Sequence, residues 1–415
     1  TVGARRPHTA ARPGPTATAG RCGDPVHHEL KELPVQRTLY NADHEAFRDT
    51  MRTFVDRSLR PQTERHALEH GIDRECWLEA GRAGILGLEV AEQYGGSGAQ
   101  DYRFNAVFNE ELAKFGAAYA SCFGIHADVV APYLVDLGTE EQKKEWLPRL
   151  CTGEVVTAIA MTEPSGGSDL ANLKTRATAD GSDWIVDGAK TFITNGGSAD
   201  LVVVAARTGP GKGARGVSLF LVDTTLPGFE RGRVLDKVGQ PESDTAELFF
   251  HDLRVPADAL LGEVGMGFIS LMQRLPQERI GVAIGNIANT VSLFEETLAY
   301  VKTRQAFGQT IGSFQYNKFT IAEMFTALEV AQAFIDKCVD AHMRKELSAE
   351  EAAMAKWWSA QVQSDVLDHC VQLYGGYGYM NEYRIARAWK DARVNKIWAG
   401  SNEIMKELIG RKLGL

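Results

Sequence analysis

Two short segments, far apart in the chain, carry the residue types best suited to chemistry. Leu275-Pro276-Gln277-Glu278-Arg279 sets one carboxylate between an amide and a guanidinium, just after a proline. Trp398-Ala399-Gly400-Ser401 is a turn-forming stretch with no titratable side chain. A lone carboxylate works as a general base when burial or neighbours bring its pKa near the working pH. Pro276 lacks an N–H and crowds the preceding turn, so it is expected to interrupt the helical ladder and aim Glu278 into the surrounding helical bundle. The competing explanation is a surface glutamate paired with Arg274 or Arg279. Neighbours at i, i+1 do not face each other on a helix, which weakens the second pairing.

Other segments are suited to holding a ligand. Ala160-Met161-Thr162-Glu163-Pro164-Ser165-Gly166-Gly167-Ser168-Asp169 combines glycines, which let a backbone approach a ligand closely, with hydroxyls that hydrogen-bond without charge. Thr191-Phe192-Ile193-Thr194-Asn195-Gly196-Gly197 repeats this chemistry with an aromatic beside the hydroxyl. Two patterns are decoys. Gly211-Lys-Gly213-Ala-Arg-Gly216 spells a dinucleotide motif, but that motif must open a helix whose N–H groups hold the pyrophosphate. Here it joins two strand-like runs and reads as a hairpin loop. His66 and His70 stand at i, i+4, yet Glu69 is not where a zinc-protease glutamate sits. They read as a solvated helix face, and no metal is expected.

The elements that must position these residues fall into blocks. Residues 1–36 are rich in Ala, Pro, Thr and Arg, without hydrophobic periodicity, and read as a disordered extension or a targeting segment. Residues 37–153 have helical spacing, as in Phe47, Met51, Phe54 and Val55, and Thr139-Glu-Glu-Gln142 is a capping box. In 154–265 the period changes to two, with strand runs at 184–188, 201–205, 217–222 and 246–250. Residues 266–415 are helical again, with periodic segments ending near Thr303, Arg344 and Leu373 and a second capping box at Ser348–Glu351. The expected fold is α+β and mostly α: an N-terminal helical domain, a middle β domain and a C-terminal bundle of four long helices. A length of 415 residues suits two or three domains, and 44% hydrophobic with 24% charged residues is ordinary for a soluble protein. The net charge of -9 argues against a nucleic-acid partner, and no apolar run is long enough to span a membrane. Six scattered cysteines without a C-x-x-C pair read as core thiols of a reducing compartment, the bacterial cytoplasm or alternatively the mitochondrial matrix.

Further motifs complete a pattern. Arg304-Gln-Ala-Phe307-Gly308 is followed by Gln315, and Gln372-Leu-Tyr-Gly375-Gly376-Tyr-Gly378-Tyr379 by Glu382, Arg387 and Asp391. Together with the segments at 160–169 and 191–197, these resemble the acyl-CoA dehydrogenase family over about Ala42 to Leu415. The pattern is nearest the long-chain branch. The resemblance implies FAD as cofactor, with Met161, Thr162, Phe192 and Thr194 at the flavin ring. It places Arg304, Phe307 and Gln315 at the pyrophosphate and adenosine of a neighbouring subunit's FAD, and Gln372, Gly376, Ser401 and Glu403 facing that cofactor. Ser168, Arg279, Ala399 and Gly400 would meet the substrate. A site shared between chains implies a homodimer or a homotetramer. Two departures are Asn172, where the family usually has a small residue, and Phe192, where many relatives have tryptophan.

In many relatives the base is a glutamate at the position of Ala399, which cannot take a proton. The long-chain and isovaleryl branches instead place it on the first bundle helix, in a setting like Gln277-Glu278-Arg279. The resemblance therefore implies that Glu278 is the base and that the Ala399 N–H polarises the thioester oxygen. It implies α,β-dehydrogenation of an acyl-CoA to the trans-2-enoyl thioester, as in fatty-acid β-oxidation, with an electron-transfer flavoprotein as acceptor. Alternatives on the same fold are a dehydrogenase of carrier-protein-bound acyl groups, an oxygen-using oxidase or monooxygenase, and a non-enzymatic scaffold. Chain length and branching are not readable from these motifs.

Overall fold

The computed structural model describes residues 37–209 and 215–415, and the expectation for 1–36 lies outside them. Seven helices come first: α1 Ala42–Phe54, α2 Thr63–Glu69, α3 Arg74–Arg82, α4 Arg103–Phe115, α5 Ala117–Gly124, α6 Ala131–Leu137 and α7 Glu140–Thr152. The Thr139 hydroxyl accepts from the Gln142 N–H and the Gln142 side chain returns the bond, so the capping box is formed. A π-helical turn, Ile125–Val130, runs directly into α6. Pro132 sits where the π-helical turn gives way to α6, so its missing N–H removes a rung of the ladder at that junction.

The middle block is one sheet of β1 Thr157–Ala160, β2 Arg176–Asp180, β3 Asp183–Ile193, β4 Leu201–Arg207, β5 Val217–Asp223, β6 Phe229–Val234, β7 Ala246–Val255 and β8 Leu260–Leu261. Its order is β6-β7-β3-β2-β4-β5-β8, and β1 pairs in parallel with β4. β4 and β5 are antiparallel neighbours, from Leu201 opposite Asp223 to Arg207 opposite Val217. The glycine motif at 211–216, mostly outside the described residues, therefore connects hairpin strands and opens no helix.

The last block holds α8 Gly267–Thr303, the short strands β9 Gln305–Ala306 and β10 Gln309–Thr310, and helices α9 Gln315–Met343, α10 Ala349–Tyr374, α11 Arg384–Ala392 and α12 Asn402–Lys412. Three helices are long, at 37, 29 and 26 residues. The expected fourth is replaced by α11 and α12, of 9 and 11 residues, because the glycine-rich segment after α10 breaks the chain. Ile280, Ile284 and Ile287 of α8 pack with Met324, Leu328, Val362 and Val366 in the bundle core.

Two expectations need correction. α8 runs unbroken through Pro276, so the proline removes one rung of the ladder without stopping the helix. At 3.6 residues per turn, Glu278 falls nearly opposite the Ile280–Ile284–Ile287 stripe. It shares a side with Leu271, which packs against Val130, Tyr133 and Leu134, so it faces the N-terminal helices and not the bundle. His66 is buried rather than solvated. Its Nδ1 lies 3.0 Å from the Tyr119 hydroxyl and its Nε2 2.9 Å from Asp73. His70 has left the helix, with φ 54°. His66, Asp73 and Cys76 bring possible ligand atoms within 4.8 Å of one another. However, Asp73 is bound by Arg65 and burial pushes the Cys76 thiol up to about 12, which describes a hydrogen-bonded core cluster.

Candidate active site

Glu278 is partly buried on α8, and its Oε1 accepts a 3.0 Å hydrogen bond from the Tyr133 hydroxyl of α6. Burial pushes the carboxyl up to about 7; Asp128 adds to this, while Tyr133, Arg279 and Arg274 oppose it. A carboxylate poised there is suited to take a weakly acidic proton at neutral pH. The competing surface ion pair is not found. Arg274 pairs with Asp136 and reaches the Pro132 carbonyl, and no cation forms a salt bridge to Glu278 among the described residues.

Arg279, the next residue, is buried and turned the other way. Its Nη2 lies 3.9 Å from where a Cβ on Gly400 would stand, and its Nε has no hydrogen-bond partner among the described residues. It therefore lies beside the 398–401 turn. Ala399 and Gly400 both hold positive φ, 51° and 89°, and nothing among the described residues accepts from the Ala399 N–H. For alanine that conformation costs on the order of 1 kcal/mol, and such strain concentrates at ligand sites. The fully buried Lys356 of α10 donates to the Gly400 carbonyl at 2.6 Å. Ser401 caps α12 by accepting from the Ile404 N–H, and Glu403 is exposed one residue into that helix.

In the middle block, buried Lys190 of β3 pairs with Glu163 at 2.9 Å and donates to the Met161 carbonyl at 3.0 Å. The Thr191 N–H donates to the Thr162 carbonyl at 2.9 Å. These bonds lay the Met161–Glu163 strip beside the end of β3. A register shift between Lys190 and Ile193 puts Phe192 at φ 60° with 68% of its surface exposed, while Thr194 is partly buried. Bulges commonly re-aim a side chain in this way. Ser168 lies on the exposed loop that follows, where Asn172 donates to Asp169 at 2.7 Å. Asn172 thus takes part in closing the loop.

Arg304, Gln372 and Gly376 line one open cleft of about 390 Å³ with Tyr300, Tyr377 and Met380. The Arg304 guanidinium sits 5.6 Å from the Tyr377 ring centre and forms no salt bridge among the described residues. Nothing lies within 4 Å of a Cβ built on Gly375 or Gly376. A free guanidinium, an amide and open glycine backbone suit a phosphate-bearing ligand. Phe307 and Gln315 do not line the cleft. Phe307, at φ 52°, is 96% exposed, and Gln315 is the exposed first residue of α9.

Residues 41–154, 158–253 and 265–414 match, in turn, the N-terminal, middle and C-terminal domains of acyl-CoA dehydrogenase. The chain belongs to the acyl-CoA dehydrogenase family. It is 43% identical to the mitochondrial long-chain specific acyl-CoA dehydrogenase of Sus scrofa over 411 residues, 98% of this chain and 94% of that one. The crystal structure of an acyl-CoA dehydrogenase from Geobacillus kaustophilus superposes with TM-score 0.90 at 46% identity, covering 92% of this chain and 100% of the other. A glutaryl-CoA dehydrogenase from Mycobacterium smegmatis, solved in complex with FADH2, does so at 0.84 and 29%, covering 90% and 95%. A flavin cofactor follows for the family member described here. Among the described residues no helix is long and apolar enough to cross a membrane.

Sequence reasoning missed Tyr133, Lys356 and the Lys190–Glu163 pair. The available signal was faint: one hydroxyl in Ala131-Pro132-Tyr133-Leu134-Val135, and one lysine in the apolar run around Ala355.

Proposed function

We propose that this acyl-CoA dehydrogenase desaturates an acyl-CoA thioester between Cα and Cβ, with Glu278 taking the α-proton. The Glu278–Tyr133 arrangement carries this reading: a carboxylate whose pKa is raised to about 7, in no salt bridge among the described residues, on the helix whose next residue lies near Gly400. The Ala399 N–H is the donor for the thioester oxygen, where charge develops as the proton leaves. Ser168, Arg279 and Gly400 complete the substrate side.

FAD is the flavin proposed. Met161, Thr162, Phe192 and Thr194 would flank its ring, Arg304, Phe307 and Gln315 would hold the pyrophosphate and adenosine of a neighbouring copy's cofactor, and Gln372, Gly376, Ser401 and Glu403 would face that same neighbouring cofactor. Held there, FAD would supply the acceptor for the β-hydride, with an electron-transfer flavoprotein as the proposed outlet for the electrons. The exposed aromatic side chains of Phe307, Tyr316, Phe319 and Tyr379 are compatible with a homodimer or homotetramer. Identity of 43% to the long-chain enzyme, against 34% to an isovaleryl-CoA dehydrogenase from Pongo abelii, favours straight long acyl chains. Five buried free cysteines suit a reducing compartment, the bacterial cytoplasm or a mitochondrial matrix.

The test is Glu278→Gln, assayed with acyl-CoA substrates of increasing length. Flavin absorbance is retained and turnover falls by about three or more orders of magnitude. Near-normal turnover removes the assignment.

A further inference from the structure

The base has a direct partner from a distant helix. Tyr133 is fully buried, and its hydroxyl bonds only to Glu278 Oε1 among the described residues. Glu278 Oε2 accepts no hydrogen bond among the same residues. Val130, Leu134 and Leu271 pack in the same cluster as the Tyr133 ring, so it has little room to swing away. Arg274 ties the two helices together, from α8 to Asp136 and the Pro132 carbonyl of α6.

We propose that Tyr133 is a positioning residue for the base: its hydroxyl occupies one Glu278 oxygen, leaves the other free for the substrate proton, and stabilises the ionised carboxylate. This rests on the reading of Glu278 as the base.

The groups around the carboxylate leave this role to Tyr133. Arg274 and Arg279 act from α8 itself, but the first is bound to Asp136 and the second is turned toward Gly400. Asp128, from the π-helical turn, opposes ionisation of Glu278. Burial and the Glu278 charge hold the Tyr133 phenol well above its usual range, so it stays a donor throughout the working pH. A hydrogen bond donated to the charged form lowers a carboxyl pKa, and its loss raises it.

The experiment is the pH dependence of kcat/KM for wild-type holoenzyme, Tyr133→Phe and Glu278→Gln. Phenylalanine keeps the ring and removes one oxygen, so flavin content and melting temperature stay near wild type. The acid limb of Tyr133→Phe moves up by about one pH unit, giving a roughly tenfold deficit at low pH that closes above both limbs. Infrared titration of the protonated carboxyl, with Glu278→Gln as blank, reads the same shift without turnover. It therefore decides the matter even if the variant binds flavin poorly. Superimposable titrations in wild type and Tyr133→Phe overturn the inference while Glu278→Gln stays inactive. An active Glu278→Gln overturns the underlying assignment instead.

Discussion

Lys356 donates to the Gly400 carbonyl at 2.6 Å from a position with no solvent exposure, so the bundle interior holds the turn that carries Ala399. Burial, and then the nearby Arg279 charge, pull the lysine down to about 8. A buried amine with a lowered pKa persists because Gly400 O and, at 3.4 Å, Asn402 Oδ1 accept from it.

Replacing Lys356 with methionine removes that donor at similar volume. The orphaned acceptors cost about 1–3 kcal/mol of stability. Loosening the turn is expected to lower kcat by about tenfold or more, because the Ala399 N–H, the proposed oxyanion donor, would be misplaced. Denaturant unfolding and steady-state assays measure the two effects. A destabilised variant with wild-type kcat means that packing alone holds the turn.

Glu278 carries a stability cost that depends on pH. Its pKa of about 7 in the fold exceeds the roughly 4.3 of a free glutamate. The folded state therefore binds the proton more tightly. The resulting stabilisation is fully present below about pH 4 and is lost as pH rises through 7. Glu278→Gln removes this dependence. At pH 8 the variant is more stable than wild type by about 3 kcal/mol, and the gap closes toward pH 4. Calorimetry at both pH values checks this, and an equal gap at both contradicts it.

The Lys190–Glu163 pair supports the strip that would meet the flavin ring. Glu163 also accepts from the Lys174 and Thr175 N–H groups, and Lys190 reaches the Met161 carbonyl. Removing one partner of a buried pair leaves an uncompensated charge, at about 3–5 kcal/mol. Lys190→Met is therefore expected to destabilise the protein by about 3 kcal/mol and to release flavin during gel filtration. Full flavin retention would show that the strip is held by the strand bonds alone.

What sequence showed and what it missed divide along the range of the interaction. The capping boxes at Thr139 and Ser348 formed as read, because each bond spans three residues. The runs of β3, β4, β5 and β7 were legible from their β-branched and apolar residues, whereas β2 and β6 were not. Both of those strands are largely exposed, so no apolar pattern marks them. His66 was misread because local spacing shows only its helix, while Tyr119 and Asp73 cover it in space.

The same division runs through the site. By itself the sequence determined the family pattern and which carboxylate to propose, since Glu278 and the missing acid at Ala399 are facts of residue type. Only the tertiary structure decided what surrounds that carboxylate. Tyr133 lies 145 residues away, and the apolar face that turns Glu278 toward it is set by how α8 packs between two cores. Burial and a directed hydroxyl, which together set the affinity of a carboxylate for its proton, exist only after those helices meet.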